Sequence, residues 1–436
     1  MTPSRSRPAP PARIVHLGLG AFSRSHTAWY TAHAADAHEW GMVGYTGRSR
    51  DLADALSAQD GVYTLIERSA EGDRAEVIES IVRTAPGGDV AGLVADLASP
   101  ETAIVTLTIT EAGYRTRSDG TADAGDPLVA ADLAALADVA AGGVRVETAL
   151  GRLVLGLDAR RRAGAGPLAL VSCDNLSDNG GLLRRGILAL CESLPETAAW
   201  IASNVSFVSS SVDRITPRLD PDEMQRLEER YGDRAPVVAE PFSDWVLSGA
   251  FPAGRPAWET AGARFTDDLE PWESRKLWML NGAHTLLANL GPLRGHETVA
   301  QAMADPVCRD AVEALWDEAS RHLPAELETD AYRRALIERF ENPRIVHTLA
   351  QIALDTPRKL GLRIAPVAER ERADGRDAAA CAFAFGAWIA GSGAHPATAL
   401  AEVSGALAAD TAFVRAVRHT AARLQHGRDP SLAALS

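Results

Sequence analysis

The sequence has 436 residues, which is long for a single hydrophobic core and predicts two domains. Hydrophobic residues make up 46% of the chain and charged residues 23%, the composition of a globular protein. The formal net charge of −14 leaves no basic surplus to neutralise phosphates, which excludes nucleic acid as the expected partner.

Targeting and membrane signals are absent from the sequence pattern. Residues 1–12 carry charge and proline without an apolar stretch behind them, which predicts a flexible arm rather than a signal peptide. The longest apolar run, residues 381–391, is shorter than the ~20 residues that a bilayer-spanning helix needs. The four cysteines show neither a CxxC pair nor zinc-ligand spacing: Cys173, Cys191, Cys308 and Cys381. We therefore expect a cytoplasmic protein with reduced cysteines, no metal site and no membrane partner.

Strand-like and helix-like segments alternate through the first half of the chain. The strand candidates are residues 13–20, 41–47, 102–110 and 167–175. Alternation of this kind predicts parallel strands joined by crossover helices. After about Phe265 long amphipathic patterns dominate, which predicts a mostly helical half. The expected fold is an α/β domain over residues 13–265 followed by an α-helical domain over residues 266–436.

A glycine-rich turn, "GLGAFSRSH" at residues 18–26, follows the first predicted strand and leads into a predicted helix. Small residues there let the backbone approach a pyrophosphate, and a helix N-terminus offers unpaired N–H groups. Ser23 stands at the third glycine position, and a purely structural tight turn is the alternative. The preceding strand and the alternating units favour a Rossmann-like dinucleotide-binding domain.

The end of the second strand leaves the choice of dinucleotide open. An acidic residue is expected there to hold the adenosine ribose. The sequence has Arg48 and Arg50 before Asp51 appears. The two arginines would suit a 2′-phosphate, or they are simply solvated. NAD is the expected cofactor, with NADP as the alternative.

Lys276, Asn281 and His284 lie among the apolar residues of the stretch "PWESRKLWMLNGAHTLLANLG", residues 271–291. On a regular α-helix with Lys276 at zero, Glu273, His284 and Asn281 fall at about 60°, 80° and 140°, on one face. Burial beside a cationic nicotinamide would favour a neutral lysine, which can accept a carbinol proton. An asparagine N–H can stabilise the alkoxide, and a histidine can hold a hydroxyl. The alternative is that Lys276 extends to solvent and His284 is a core residue.

The K-x4-N-x2-H pattern followed by "LANLG" resembles the polyol-specific long-chain dehydrogenases, the mannitol dehydrogenase family. Further blocks resemble that family in the same order: "IVHLGLGAFSRSH", "TLTITEAGY", "SCDNLSDNG", "SVDRITP", "EPFSDWV", "GRPAWE" and "RFENP". The resemblance runs from residue 13 to residue 391. The cofactor-binding residues predicted on this basis are Gly18, Gly20, Ala21, Phe22, Arg48, Thr110 and Glu111.

The resemblance implies a metal-independent mechanism in which Lys276 is the general acid and base. Asn281 and Asn175, the asparagine of "SCDN", would flank the reacting oxygen. His284 would orient the substrate, and Glu273 would lie at a proton exit. These five residues are the predicted catalytic set.

The same resemblance predicts the substrate-binding residues but leaves the substrate open. Lys359 would face the far end of the substrate. At the position eight residues before this lysine, polyol-oxidising members of the family tend to carry arginine, whereas this chain carries Gln351. Glutamine there looks more like the members that reduce fructuronate to mannonate. For Asp213 the alternative to a substrate-binding role is a surface ion pair with the adjacent arginine. The predicted substrate-binding set is Val212, Asp213, His347, Gln351, Arg358 and Lys359.

The leading interpretation is an NAD(P)-dependent dehydrogenase that interconverts a secondary alcohol and a ketone on a linear sugar alcohol, as from mannitol to fructose. The alternative substrate class is an aldonate, as in fructuronate reduction. A nucleotide-binding regulator without turnover is a third interpretation, disfavoured because the lysine, both asparagines and the histidine are all present. The oligomeric state is open, with a monomer as the working expectation.

Overall fold

The computed structural model describes residues 2–47, 49–117, 119–139 and 145–426. The chain divides into two compact units. One unit comprises Met1–Arg68 and Gly72–Leu269, and the other comprises Ser69–Glu71 and Glu270–Ser436. The first unit contains the strands, and the second is helical. The predicted class, a Rossmann-like α/β domain followed by a mostly helical domain, is confirmed.

The described residues of the first unit form eleven strands, numbered in chain order. They are β1 (Ala12–Leu19), β2 (Gly41–Thr46), β3 (Tyr63–Arg68), β4 (Asp73–Ile78), β5 (Ile81–Ala85), β6 (Ile104–Leu107), β7 (Leu168–Ser172), β8 (Val205–Asp213), β9 (Val237–Ala239), β10 (Asp244–Ser248) and β11 (Arg264–Phe265). All four strands expected from the sequence are present, and the remainder were not anticipated.

The main sheet has the strand order of a doubly wound dinucleotide-binding fold. Its order is β11-β10-β8-β7-β6-β1-β2-β5, and the six strands from β8 to β5 are mutually parallel. Only β10 runs antiparallel to its neighbour β8. The strand order reverses between β1 and β6, and in open α/β sheets ligands bind outside the carboxyl ends of the strands at such a point. Strands β4, β3 and β9 form a separate small sheet.

Alternating side chains of the central strands bury both faces of this sheet. Ile14 pairs with Ile104, and both belong to one apolar cluster. Val15 pairs with Val105, and both belong to the cluster on the opposite face. Continuous β-branched and aliphatic runs are typical of parallel strands that helices cover on both faces.

Helices of the first unit follow the strands as crossover connections or cover the sheet. They are Ala21–Ser25, Thr27–His33, Asp51–Ser57, Val90–Ala98, Glu111–Tyr114, Pro127–Ala137, Ala149–Ala163, Asn179–Leu190, Pro195–Asn204 and Pro221–Tyr231, with 3-10 turns at Ala37–Glu39 and Trp258–Ala261.

The expected N-terminal arm is anchored at one point of the first unit. The Arg5 guanidinium donates to the backbone oxygens of Asp60 and Ile81, each at 2.7 Å, and also bonds the carbonyl of Glu79. Residues 5–8 line a cavity of about 270 Å³ together with His33 and Glu76. None of the predicted site residues lines this cavity.

The described residues of the second unit are almost entirely helical. Its α-helices are Glu270–Arg275, Gly282–Leu290, Val299–Ala304, Pro306–Ser320, Thr329–Phe340, Leu349–Ile352, Thr356–Arg363, Ala365–Ala373, Ala379–Ser392, Pro396–Val403, Gly405–Ala409 and Thr411–Gln425. Lys276–Asn281 form a π-helical turn, and Pro292–Arg294 and Ala325–Leu327 form 3-10 turns.

The apolar run noted in the sequence is the core helix of the second unit, Ala379–Ser392. It packs against Thr411–Gln425 and against Gly282–Leu290. Its first N–H groups have no local side-chain cap; the Glu318 carboxylate accepts from Ala380 and Cys381 instead, both at 2.9 Å. Within the part of the chain that the structure describes, no helix combines the length and apolar character needed to cross a bilayer.

Candidate active site

The two glycines of the glycine turn differ in what a side chain at their position would meet. Gly18 has φ +92°, and a Cβ built on it would lie 2.2 Å from the backbone oxygen of Thr108. Gly18 is therefore required by the close approach of two backbones. A Cβ on Gly20 would meet only the Gly18 oxygen, at 3.6 Å. The protein itself does not require glycine at position 20, so the open space there suits a ligand.

The turn is completed by a serine that was not predicted to have a role. Ser23, at the position of the expected third glycine, accepts the N–H of Gly20 through Oγ at 3.0 Å. Ala21 is exposed, and Phe22 is half-buried and stacks on His26 at 4.9 Å between ring centroids. Serine at position 23 therefore caps the first short helix by itself.

A buried histidine links β1 to β6 directly behind this turn. His16 Nδ1 lies 2.8 Å from Thr106 Oγ1, and His16 Nε2 lies 3.1 Å from Thr108 Oγ1. The Thr108 hydroxyl donates in turn to the Gly18 carbonyl at 2.9 Å. Burial lowers the pKa of His16 from 6.5 to about 4, although a hydrogen bond with the Gly18 backbone opposes the shift. The imidazole is therefore neutral at physiological pH.

The chain leaves β6 through a strained turn at Thr110. Its φ of +63° with ψ of 164° lies in a region that only glycine adopts readily, and for a β-branched residue this costs about 1–3 kcal/mol. Asp174 holds the turn by accepting from the N–H of Thr110 at 2.7 Å and of Ile109 at 3.2 Å. The Tyr114 hydroxyl also donates to Asp174, at 2.9 Å. Sequence reasoning missed Asp174, although it directly precedes Asn175 in "SCDN".

The predicted residues of the first unit gather at one edge of the main sheet. Thr110 and Glu111 follow β6, the exposed Asn175 follows β7, and Val212 and Asp213 end β8. Because these strands are parallel, their carboxyl ends meet at the same edge as the glycine turn. Val212 and Asp213 are buried, opposite Trp245 and Asp244 of β10. The structure thus brings together most of the predicted cofactor residues with Asn175.

Two arginines follow β2, and the structure describes one of them, Arg50. Arg48 lies outside the described residues. Arg50 is exposed and pairs with Asp54 one turn later, with 2.9 Å between Nε and Oδ2. Asp51 accepts from the Ser49 hydroxyl at 2.7 Å. Arg50 is therefore already paired with an acid of its own helix, which argues against a role for it in binding a 2′-phosphate.

The predicted catalytic helix, residues 270–290, is not a regular α-helix. Glu270–Arg275 and Gly282–Leu290 are α-helical, but Lys276–Asn281 form a π-turn, in which the Gly282 N–H donates to Leu277, five residues back. The α-helical spacing assumed from the sequence is therefore wrong in this segment. The wider turn brings residues five apart onto one side, as residues three and four apart are in an α-helix. Lys276 and Asn281 have that separation, so the π-turn places them closer in angle than the α-helical wheel.

Two side chains from elsewhere in the second unit stabilise this turn. The buried Trp316 donates its indole N–H to the Met279 carbonyl at 2.9 Å. Arg363 reaches the Asn281 carbonyl at 3.4 Å and donates to Thr285 Oγ1 at 3.0 Å. Thr285 in turn donates to the Asn281 carbonyl at 2.9 Å. Wide turns of this kind recur at functional sites, where the altered backbone needs such outside partners.

His284 is buried and its ring contacts two other rings. His284 lies 4.6 Å from Phe340 and 4.8 Å from His347 between ring centroids. Burial first, and then the positive field of His347, Arg339 and Arg363, hold the pKa of His284 well below its usual range. Within the described residues, His284 Nε2 and His347 Nδ1 are buried atoms without a hydrogen-bond partner. Leaving such an atom unsatisfied costs about 1–3 kcal/mol, so a ligand hydroxyl is the natural partner.

The remaining predicted residues of the second unit lie on helices that pack against the catalytic helix. Gln351 is exposed on Leu349–Ile352, and Arg358 and Lys359 lie on Thr356–Arg363. Both short helices contact Gly282–Leu290. Glu273, half-buried, lies one turn before Lys276. The structure thus places these residues on segments that adjoin the helix of His284, and their roles stay predictions.

One cluster among the described residues has the composition of a metal site. The ligand atoms of His296, Asp305 and Cys308 lie within 4.8 Å of one another. Arg294, however, donates to both carboxylate oxygens of Asp305, and His296 Nε2 lies 2.9 Å from Oδ2. A guanidinium bound to the only carboxylate makes this an ion-pair network rather than a cation site.

Comparisons with known proteins match both units of the chain. The family described as mannitol dehydrogenase Rossmann domain matches residues 12–260, and the mannitol dehydrogenase C-terminal domain matches residues 268–420. A D-mannonate oxidoreductase of Escherichia coli is 37% identical, over 81% of this chain and 74% of that protein. A D-arabinitol 4-dehydrogenase of Ralstonia nicotianae is 38% identical, over 85% and 80%. The solved structure of Pseudomonas fluorescens mannitol 2-dehydrogenase, a ternary complex with NAD and D-mannitol, is 31% identical with a TM-score of 0.78, covering 100% of this chain and 95% of that chain.

Proposed function

This chain belongs to the mannitol dehydrogenase family, and from that premise we propose that it is an NAD-dependent oxidoreductase interconverting a secondary alcohol and a ketone on a linear sugar derivative. The observation that carries the proposal is the π-turn, because it brings Lys276 and Asn281, which are five residues apart in the sequence, onto one side of the helix. A proton acceptor and an amide donor on one side suit a carbinol that becomes a ketone.

The first unit fits the proposed cofactor. Space beside Gly20, open to a ligand, lies at the point where the strand order of the sheet reverses. Gly18, Gly20, Thr110 and Glu111 are the residues proposed to hold the dinucleotide. The chemistry that NAD supplies when bound is acceptance of a hydride from the alcohol carbon.

The protein's own residues manage the proton and the oxygen. Lys276 accepts the hydroxyl proton, because a lysine in its neutral form is a general base. Asn281 and Asn175 donate amide N–H groups to the reacting oxygen as negative charge develops on it. Glu273, one turn before Lys276, is proposed to pass the proton to solvent.

Neutral histidine is the form suited to binding sugar hydroxyls. Burial and the neighbouring cations lower the pKa of His284, and burial and Arg339 lower the pKa of His347. A neutral imidazole nitrogen can donate to or accept from a hydroxyl, depending on its tautomer. We propose that the unsatisfied Nε2 of His284 bonds a hydroxyl next to the reacting carbon.

The cysteines support the proposed cytoplasmic location. All four are buried, and none forms a disulfide: Cys173, Cys191, Cys308 and Cys381. Reduced, buried thiols are typical of proteins in reducing compartments. A cytoplasmic pool of nicotinamide cofactor would also serve the proposed reaction.

The proposal is tested by following NADH absorbance with D-mannitol, D-arabinitol and D-mannonate, each offered with NAD and with NADP. We expect turnover with at least one of them, faster with NAD, and about 100- to 10,000-fold slower with Lys276→Ala. Tight NAD binding without turnover of any linear sugar alcohol or aldonate would show a nucleotide-binding regulator instead. Equal turnover by Lys276→Ala would assign the base to another residue.

A further inference from the structure

Asn175 lies at the tip of a tight turn that follows β7. The Leu176 N–H donates to the Asp174 carbonyl at 2.9 Å, which closes a three-residue turn around Asn175. Asn175 is exposed, whereas Asp174 is buried. The peptide group between Asp174 and Asn175 is planar, so the direction of the Asn175 side chain depends on how that group is held.

Asp174 is hydrogen-bonded through both its side chain and its backbone. Its carboxylate accepts from the turn after β6. Its carbonyl accepts a second hydrogen bond, from the side-chain amide of Asn179 at 2.8 Å. A carbonyl oxygen has two lone pairs, so Leu176 and Asn179 together satisfy this one. Asn179 is therefore the side chain that fixes the peptide group before Asn175.

The Asn179 amide is itself held by β8. Asn179 is fully buried at the first residue of Asn179–Leu190. Its nitrogen also donates to the Ser210 carbonyl at 2.7 Å, and its oxygen accepts the Ser210 N–H at 3.0 Å. The pairing of β7 with β8 ends at Val171 and Val208, so this amide replaces a strand partner for the following part of β8. Three hydrogen bonds keep the buried amide in one orientation.

We propose that Asn179 is a positioning residue for the reaction: by holding the Asp174 carbonyl, it directs the Asn175 amide at the reacting oxygen of the substrate. The inference rests on the proposed function, in which Asn175 donates to that oxygen. Because Asn179 is fully buried, it acts through Asn175 and not by contact with the substrate. An amide donor stabilises the developing charge only when it is aimed at the charged atom, so a small rotation of the turn lowers the rate.

A purely structural role for Asn179 is the alternative, because its amide also satisfies the backbone of Ser210. In that case any effect of Asn179 on the rate would be independent of Asn175. Positioning makes the opposite prediction. The effect of Asn179 on the rate is transmitted by the Asn175 amide, so it disappears when that amide is removed.

The test is a double-mutant cycle of Asn179→Ala and Asn175→Ala, using whichever of D-mannitol, D-arabinitol and D-mannonate the unaltered enzyme oxidises fastest. Asn175→Ala should lower kcat about 100- to 1,000-fold, as the loss of one donor to a developing oxyanion does. Asn179→Ala alone should lower kcat about 10- to 100-fold at an unchanged NAD dissociation constant. In the Asn175→Ala enzyme, the same change should lower kcat less than about twofold.

Three further variants serve as controls. In Asn281→Ala, which removes the other proposed amide donor, Asn179→Ala should keep its full effect on kcat. Asn204→Ala removes an amide that donates to the Trp200 carbonyl at 2.9 Å, and it should leave kcat unchanged. Asn179→Asp keeps the side-chain volume and the acceptor for Ser210 but lacks both N–H donors, so it should lower kcat as Asn179→Ala does.

The outcomes separate this inference from the proposed function. Equal fractional losses from Asn179→Ala in the unaltered, Asn175→Ala and Asn281→Ala enzymes would assign Asn179 a structural role and overturn the inference. An unchanged kcat in both Asn179 variants would also overturn it, as would failure of both to fold, since the fold would then depend on this amide. Each of these results leaves the oxidoreductase standing, because the unaltered enzyme is active. Inactivity of the unaltered enzyme toward all three substrates would overturn the proposed function and the inference with it.

Discussion

Replacing His16 by glutamine should remove a defined part of the protein's sensitivity to acid. His16 is fully buried and bonds the hydroxyls of Thr106 and Thr108 through its two ring nitrogens. A proton added to this ring would place a charge between two strands, in contact with groups that cannot disperse it. Glutamine can bond one or both hydroxyls and does not titrate, so it isolates the effect of protonation.

The magnitude follows from the pKa of His16, which burial lowers from 6.5 to about 4. A group whose pKa is lower in the folded state takes up its proton first in the unfolded state. Stability is therefore complete above pH 6.5 and falls as the pH drops from 6.5 towards 4. Each pKa unit between the folded and unfolded states is worth about 1.4 kcal/mol, so the loss from His16 alone reaches about 3 kcal/mol at pH 4.

Urea unfolding of the first unit's signal, measured from pH 7 to pH 4, tests this expectation. The free energy of unfolding should fall about 3 kcal/mol less in His16→Gln than in the unaltered protein. His419→Gln, at an exposed histidine, is the matched control and should follow the unaltered protein. Parallel curves for His16→Gln and the unaltered protein would refute the reasoning, because they would mean that His16 is protonated equally in both states.

Three further substitutions have expected outcomes. Lys276→Ala should lower kcat about 100- to 10,000-fold while the NAD dissociation constant, measured by fluorescence titration, stays the same; a loss of NAD binding instead would move Lys276 out of the reaction step. Gly20→Val should abolish NAD binding with little change in melting temperature, whereas Gly18→Ala should destabilise the fold, because its Cβ would lie 2.2 Å from the Thr108 oxygen; the opposite order in thermal melts would contradict these assignments. Trp316→Phe removes the N–H donor to the Met279 carbonyl. We expect the free energy of unfolding to fall by about 1–3 kcal/mol and kcat to fall at constant NAD affinity. An unchanged kcat would show that this hydrogen bond does not position the catalytic helix.

The fold class and the glycine turn could be predicted because their signals are local. An aliphatic run followed at once by a glycine pair, as at residues 13–20, fixes both the strand and the turn after it. The edge elements were missed for the opposite reason. Strand β8 reads "VSFVSSSVD", in which serines dilute the apolar pattern, and its place depends on pairing with β7 and β10.

The geometry of the catalytic helix could not be predicted from its own sequence. Lys276–Asn281 have side chains that any α-helix accepts, and the wide turn depends on Trp316 and Arg363, which lie far away in the chain. The same limit explains why Arg363 and Asp174 were missed. Their functions come from the backbone groups that they bond, and those contacts exist only after the chain has folded.

The strained turn at Thr110, which we propose to contact the dinucleotide, has a consequence for how tightly that ligand can bind. Asp174, Tyr114 and the sheet hold this turn in its unusual conformation before any ligand arrives. Ordering a flexible loop costs about 1–2 kcal/mol of conformational entropy for each residue. A ligand that binds a turn already fixed in shape avoids that entropic cost. The strain therefore lowers the stability of the fold, and the preorganised turn raises the affinity for the ligand. Glycine at position 110 would relieve the backbone strain of this segment, but the more flexible turn would have to be ordered when its ligand binds.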